Sequence, residues 1–276
     1  MKIDEVFCNT FHALRHRLGH DRPKDKRPMW QVRLSADSDF CRAMVGCGYL
    51  TQEQMQRAVQ RYRLGRSRDG GVIFWQIDML GQIFDGKIMH YRPDGHRDHD
   101  RKPYWVSTAL KRYYLKDDPQ LAAEIPSQHC LFGTHLISSS SPESGEVRKG
   151  LNERYFRPSL TPPNLGGETP VAVVEAEKTA VILSELYPEY LWLAAGGLYE
   201  LTAAKLFPLR GRRIILFPDT DTDGTAYTTW YKVMLEAQHL LGQTIHLSPL
   251  LEQKATADQK RRKIDLVDYL EESSHL

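Results

Sequence analysis

Val171-Ala172-Val173-Val174-Glu175-Ala176-Glu177-Lys178-Thr179 is the stretch from which the rest of the chain is read. Four apolar residues in a row, three of them β-branched, show no polar alternation. That pattern fits a strand buried on both faces, as in parallel sheets. A helix pattern follows over Lys178–Leu186, then a strand over Leu191–Ala194 closed by Gly196-Gly197. A short helix over Glu200–Leu206, a strand over Arg213–Phe217, a helix over Ala226–Leu241 and a strand over Thr244–Leu247 complete the run. Apolar strands separated by helices predict an α/β domain over residues 171–250, a small parallel sheet flanked by helices, with a helical tail at 251–276.

In such sheets ligands gather at the carboxyl ends of the strands. The first strand ends in Glu175, and the third runs into Asp219-Thr220-Asp221-Thr222-Asp223-Gly224. If the two strands are neighbours, Glu175, Asp219 and Asp221 converge. Carboxylates held together repel one another, and a hard divalent cation, Mg²⁺ or Mn²⁺, relieves that repulsion. Asp223 is then an outer ligand, and Lys178 at the start of the next helix is placed to meet a phosphate. The bland reading makes Asp219–Asp223 a solvated turn that caps the following helix.

Upstream the chain is different. Residues 1–50 read as a helical, polar segment, broken by the charged turn Asp21–Pro28. Residues 51–137 read as a basic α+β unit. It has a helix from Thr51 to Tyr62 with a Thr51/Gln54 capping box, a β-meander over 72–91 and a helix around Thr108–Leu115. Residues 138–170, rich in Ser, Pro and Gly, read as a linker. The total of 37 Lys or Arg against 35 Asp or Glu conceals an asymmetry: residues 1–150 carry 24 against 18, residues 151–276 carry 13 against 17. In the basic half, Arg61, Arg63, Arg66, Arg68, Lys87, Arg92, Arg97, Arg101, Lys102, Lys111 and Arg112 alternate with tyrosines and tryptophans. Cations that track phosphates beside aromatic faces that stack on bases form the pattern of single-strand binding. Tyr62 and Trp75 are assigned instead to the core.

The four cysteines make no CxxC pair, which excludes a zinc ribbon of the usual spacing and a dense disulfide framework. Cys8, His12, His16 and His20 recur every fourth residue, spacing that suits either zinc chelation or a solvated face; zinc is not expected. No apolar run reaches the length of a membrane span and no secretory leader is evident, so the expected location is the cytoplasm.

The segment 171–247 resembles a Toprim domain, the α/β module of bacterial-type and phage primases, topoisomerases and some nucleases. The resemblance lies in Val-Val-Glu175, the Leu193–Gly197 turn and Ile215–Asp221. Lys263–Leu270 is similar to the Asp-Leu-x-Asp-Tyr segment that follows phage primase Toprim units, and adds Asp265 and Asp268 as further carboxylates. Gly71–Tyr91 looks like the hairpin that enters the basic primase subdomain. Ala176 and Thr179 depart from the Gly and Asp that many members carry at those places.

The resemblance implies a DNA primase-like core, with Glu175, Asp219 and Asp221 as metal-holding catalytic residues for nucleotidyl transfer. The expected partners are single-stranded DNA, nucleoside triphosphates and a separate helicase or zinc-ribbon protein, in a replication system of a mobile element or phage. The template is expected across Arg61, Arg63, Arg66, Arg68, Lys87, Arg101, Lys102, Lys111 and Arg112. Two alternatives stand beside it: a Toprim nuclease with the same carboxylates, and a non-catalytic DNA-binding accessory protein.

Overall fold

The computed structural model of the chain describes residues 30–114, 129–139 and 169–273. Cys8, His12, His16, His20 and nearly all of the expected linker lie outside them. The chain divides into two units, Met1–His135 and Leu136–Leu276.

The first unit is an antiparallel sheet of five strands in sequence order: β1 (Trp30–Leu34), β2 (Gly65–Ser67), β3 (Val72–Ile77), β4 (Ile83–Met89) and β5 (Tyr104–Trp105). Helices α1 (Asp39–Gly46) and α2 (Gln52–Tyr62) connect β1 to β2, and α3 (Val106–Tyr114) follows β5. Residues 30–34 correct the expectation of a wholly helical start. Trp30 and Val32 suit a strand, and β1 has a partner, β2, that lies some thirty residues away and leaves no local signal. The Thr51/Gln54 capping box forms as expected, and Arg63 at φ 54° ends α2 in the left-handed region.

Aromatic rings organise this unit's core. Phe74 meets Phe40 and Phe132 edge-on, each with centroids 5.4 Å apart, while Tyr62 stacks on Phe132 at 4.9 Å. Trp75 needs room on both neighbouring strands. A Cβ at Gly65 would stand 2.7 Å from its Nε1, and one at Gly86 would stand 2.7 Å from its Cε3. Two absent side chains therefore make the slot that the indole fills.

The second unit is built on four parallel strands in the order β7-β6-β8-β9, with β6 (Val171–Val174), β7 (Leu191–Ala194), β8 (Ile214–Phe217) and β9 (His246–Leu247). Every residue of β6 and β8 is buried, as their unbroken apolar sequence requires. A short α4 (Leu136–Ser139) opens the unit. Helix α5 (Glu177–Leu186) joins β6 to β7, α6 (Ala203–Leu206) precedes β8, and α7 (Thr225–Leu241) joins β8 to β9. Gly242, at φ 67°, terminates α7 by donating its N–H to Gln238 O. Three short helices, α8 (Leu250–Lys254), α9 (Ala257–Arg262) and α10 (Leu266–Ser273), form the tail. Arg262 holds the last two together: it pairs through two nitrogens with Glu272 and through a third with Asp258. Among the described residues no helix is long and apolar enough to cross a membrane.

Candidate functional site

Strand β6 lies between β7 and β8, with Val174 in register with both Ala194 and Phe217. The chain leaves β6 to build β7 on one side and then returns to build β8 on the other. The order reverses between β6 and β8, and a crevice opens at the carboxyl ends of strands diverging in this way. Glu175 directly follows β6, and Asp219 stands two residues beyond β8, at the same end. Gly196, at φ 95°, donates its N–H to Glu175 O at 2.9 Å and so fixes the backbone of this corner.

Asp219 keeps a window to solvent but is otherwise enclosed. Burial, followed by the charges of Glu175, Asp265 and Asp268, pushes its carboxyl well above the usual carboxylate range; Lys178 opposes them. The charges of Glu175, Lys178 and two carboxylates of the tail thus all bear on Asp219.

Asp221 and Asp223 are placed otherwise. Both oxygens of Asp221 are taken by backbone donors: Oδ1 accepts from Thr225 N at 2.8 Å and Asp223 N at 3.1 Å, and Oδ2 accepts from Ala226 N at 2.8 Å. Gly224, the residue before α7, has no side chain with which to cap it, so Asp221 serves the open amides of the first turn. Asp223 is exposed in the turn. Asp221 thus makes the contacts of a capping turn; a carboxylate offers about four lone-pair sites, so three amide bonds are compatible with its expected role as a ligand.

The residues suit a hard cation on the following grounds. Every donor at this corner is an oxygen. Thr220 Oγ1, between Asp219 and Asp221, is buried without a hydrogen-bond partner. Among the described residues no three His, Cys, Asp or Glu side chains form a ready cage. Mg²⁺ needs none, since it is commonly held by one or two carboxylates, with water and phosphate completing the shell.

The basic residues of the first unit are spread over many elements. Arg61 lies in the last turn of α2, Arg63 just after it, Arg66 on β2, Arg68 in the turn to β3 and Lys87 on β4. Arg101 and Lys102 precede β5, and Lys111 and Arg112 close α3. Arg66 Nε lies 3.9 Å from Asp37, and Arg101 is bound to Asp69 at 2.5 Å, so these two cations already face carboxylates. Tyr62, Trp75 and Tyr91 are buried and offer no open face for a base.

One buried cluster in this unit has no sequence motif. His90 is 2% exposed, with Nδ1 2.8 Å from Asp39 Oδ2 and Nε2 3.3 Å from Asp69 Oδ2. Burial disfavours its charge, but the hydrogen bonds and negative charge of the two aspartates outweigh that and raise His90 to about 9. Asp69 is held well below the usual carboxylate range, first by His90, with help from Ser67 and Arg101. The partners lie 51 and 21 positions from His90, so no local spacing reveals them.

The family described as "Domain of unknown function (DUF6371)" matches residues 38–147 and 163–220, more than half of the chain. The match includes Glu175 and Asp219 and stops short of Asp265 and Asp268. No curated protein matches. A solved structure that matches is the primase fragment of the bacteriophage T7 primase-helicase protein, 17% identical, with 86% of this chain and 76% of that chain covered and a TM-score of 0.40. That is a distant likeness.

Proposed function

Since the chain belongs to the DUF6371 family, whose description assigns no activity, we propose a function from the site itself: metal-dependent nucleotidyl transfer of the DNA primase kind, carried by a Toprim-like second unit. The observation that supports it is the placement of Glu175 and Asp219 at the carboxyl ends of β6 and β8, where the strand order reverses, with Asp265 and Asp268 bearing on the same point. Glu175 and Asp219 would hold Mg²⁺ or Mn²⁺. Bound there, the ion would supply positive charge for a triphosphate and for the attacking 3′-oxygen.

The chain's own residues have the remaining tasks. Burial of the carboxylates away from bulk water strengthens their hold on a cation. Lys178, on the first turn of α5, meets a phosphate oxygen. Asp221 fixes the start of α7 and, with it, the loop that carries Asp219. In the first unit Arg61, Arg63, Arg66, Arg68, Lys87, Arg101, Lys102, Lys111 and Arg112 contact the phosphates of a single-stranded template. A separate helicase or zinc-ribbon protein would direct the chain to its template.

The test is primer synthesis with labelled nucleotides on single-stranded DNA, with Mg²⁺ or Mn²⁺, comparing the parent with Asp219→Asn and Glu175→Gln. Incorporation lost in both variants is the expected result. Product that survives both substitutions overturns the assignment. Strand scission without incorporation replaces the polymerase by a nuclease at the same residues.

A further inference from the structure

Helix α10, the last among the described residues, begins beside the carboxylate corner of the second unit, where two hydrogen bonds tie it down. Thr179, fully buried in the first turn of α5, donates from Oγ1 to Asp265 Oδ2 at 2.5 Å. From the loop after β8, Thr220 N–H reaches Ile264 O at 3.3 Å. Asp265 Oδ1 accepts from Asp268 N at 2.9 Å, and Asp268 Oδ2 accepts from Asp265 N at 3.3 Å. This reciprocal pair starts α10 in the manner of a capping box. Two threonines on different elements thus fix the start of α10 beside the strand ends that carry Glu175 and Asp219.

Asp265 is only 8% exposed, an expensive position for a carboxylate. The hydroxyl of Thr179 and the N–H of Asp268 are neutral donors, and they satisfy hydrogen bonds without cancelling the charge. The staple uses both carboxylate oxygens, one for each donor, which the single acceptor oxygen of a serine or an asparagine could not match. The same side chain follows Ile264, whose carbonyl meets the N–H of Thr220, the residue next to Asp219 of the proposed cation site.

We infer that Thr179 is a positioning residue of that site: its hydroxyl holds Asp265, and with it Asp268, beside Asp219, so that the last helix supplies part of the negative field a divalent cation meets. The inference rests on the proposed function. The neutral hydroxyl orients a carboxylate that arrives from 86 positions further along the chain.

The test uses the full chain and Mn²⁺ alone as probe, with free Mn²⁺ read by electron paramagnetic resonance and urea unfolding measured in parallel. Thr179→Val keeps the β-branched shape but removes the donor; it is expected to weaken Mn²⁺ binding about tenfold, as loss of a group that orients a ligand does. Thr179→Ser restores the hydroxyl and is expected to bind within about twofold of the parent, on the same reasoning. Asp265→Asn keeps the shape and one acceptor oxygen while removing the charge. It is expected to lose affinity while remaining folded, and it decides the matter if Thr179→Val does not fold. If Thr179→Val and Asp265→Asn bind like the parent while Asp219→Asn does not, the positioning role is overturned and the cation site stands. If the parent binds no Mn²⁺, or Asp219→Asn binds as well as the parent, the cation site itself falls.

Discussion

The buried His90 makes a prediction that can be worked through in sign and size. Its pKa moves from 6.5 to about 9 on folding, and each unit is worth about 1.4 kcal/mol, so burial set against Asp39 and Asp69 leaves a net proton-linked stabilisation of about 3 kcal/mol. Because the folded value is the higher one, the folded state binds the extra proton between those limits. The stabilisation is complete below pH 6.5 and is lost as pH rises to about 9, at up to about 1.4 kcal/mol per pH unit, levelling off above. The depressed Asp69 is the same contact seen from the other partner, so the two are not added. It sets the acid limit: its share is present above the normal carboxylate range and is lost as pH falls through its lowered value. The assay is equilibrium urea unfolding of the parent and His90→Asn from pH 5.5 to 10. The difference between them contains a pH-independent packing part and a part that shrinks by about 3 kcal/mol between pH 6.5 and 9. A difference that stays flat across that range would refute the reasoning.

Three other outcomes follow from contacts already described. Gly86→Ala drives a Cβ to 2.7 Å from the Trp75 ring and 2.8 Å from Ile73 Cγ2, and is expected to cost about 1–3 kcal/mol, read as a lower melting temperature with altered tryptophan fluorescence. Asp221→Ala removes the acceptor for three amides at the start of α7 and is expected to cost about 1–2 kcal/mol in thermal unfolding; unchanged stability would refute the capping role. Asp219→Asn removes a charge that burial and three carboxylates oppose. In chelator the variant is expected to melt higher than the parent at pH 8, with the gap closing as pH falls and Asp219 takes up its proton.

The second unit was the more legible of the two because its signals are local. Val171–Val174 and Ile214–Phe217 announce buried strands by composition, and the structure places them within a residue of the reading. Adjacency of those strands, on which the convergence of Glu175 with Asp219 depends, is a property of topology and had to be observed. The Asp219–Asp223 run carried two meanings at once. Metal ligation and helix capping use the same residues at the same spacing, and hydrogen bonds to Thr225 and Ala226 favour the second for Asp221. Least legible were contacts made at long range. Strand β1, the His90 cluster and the Thr179–Asp265 bond all join residues whose separation in sequence leaves no periodic trace.

The seating of α10 also bears on timing. Synthesis runs from the amino end, and Glu175 and Asp219 leave the ribosome well before Asp265 and Asp268. A nascent chain that has completed β8 holds the two strand-end carboxylates with neither Ile264 to meet Thr220 nor Asp265 to meet Thr179. The corner is finished only when the final helix docks. Partial translation products, or chains clipped ahead of residue 264, would keep the parallel sheet yet lack the fully furnished corner.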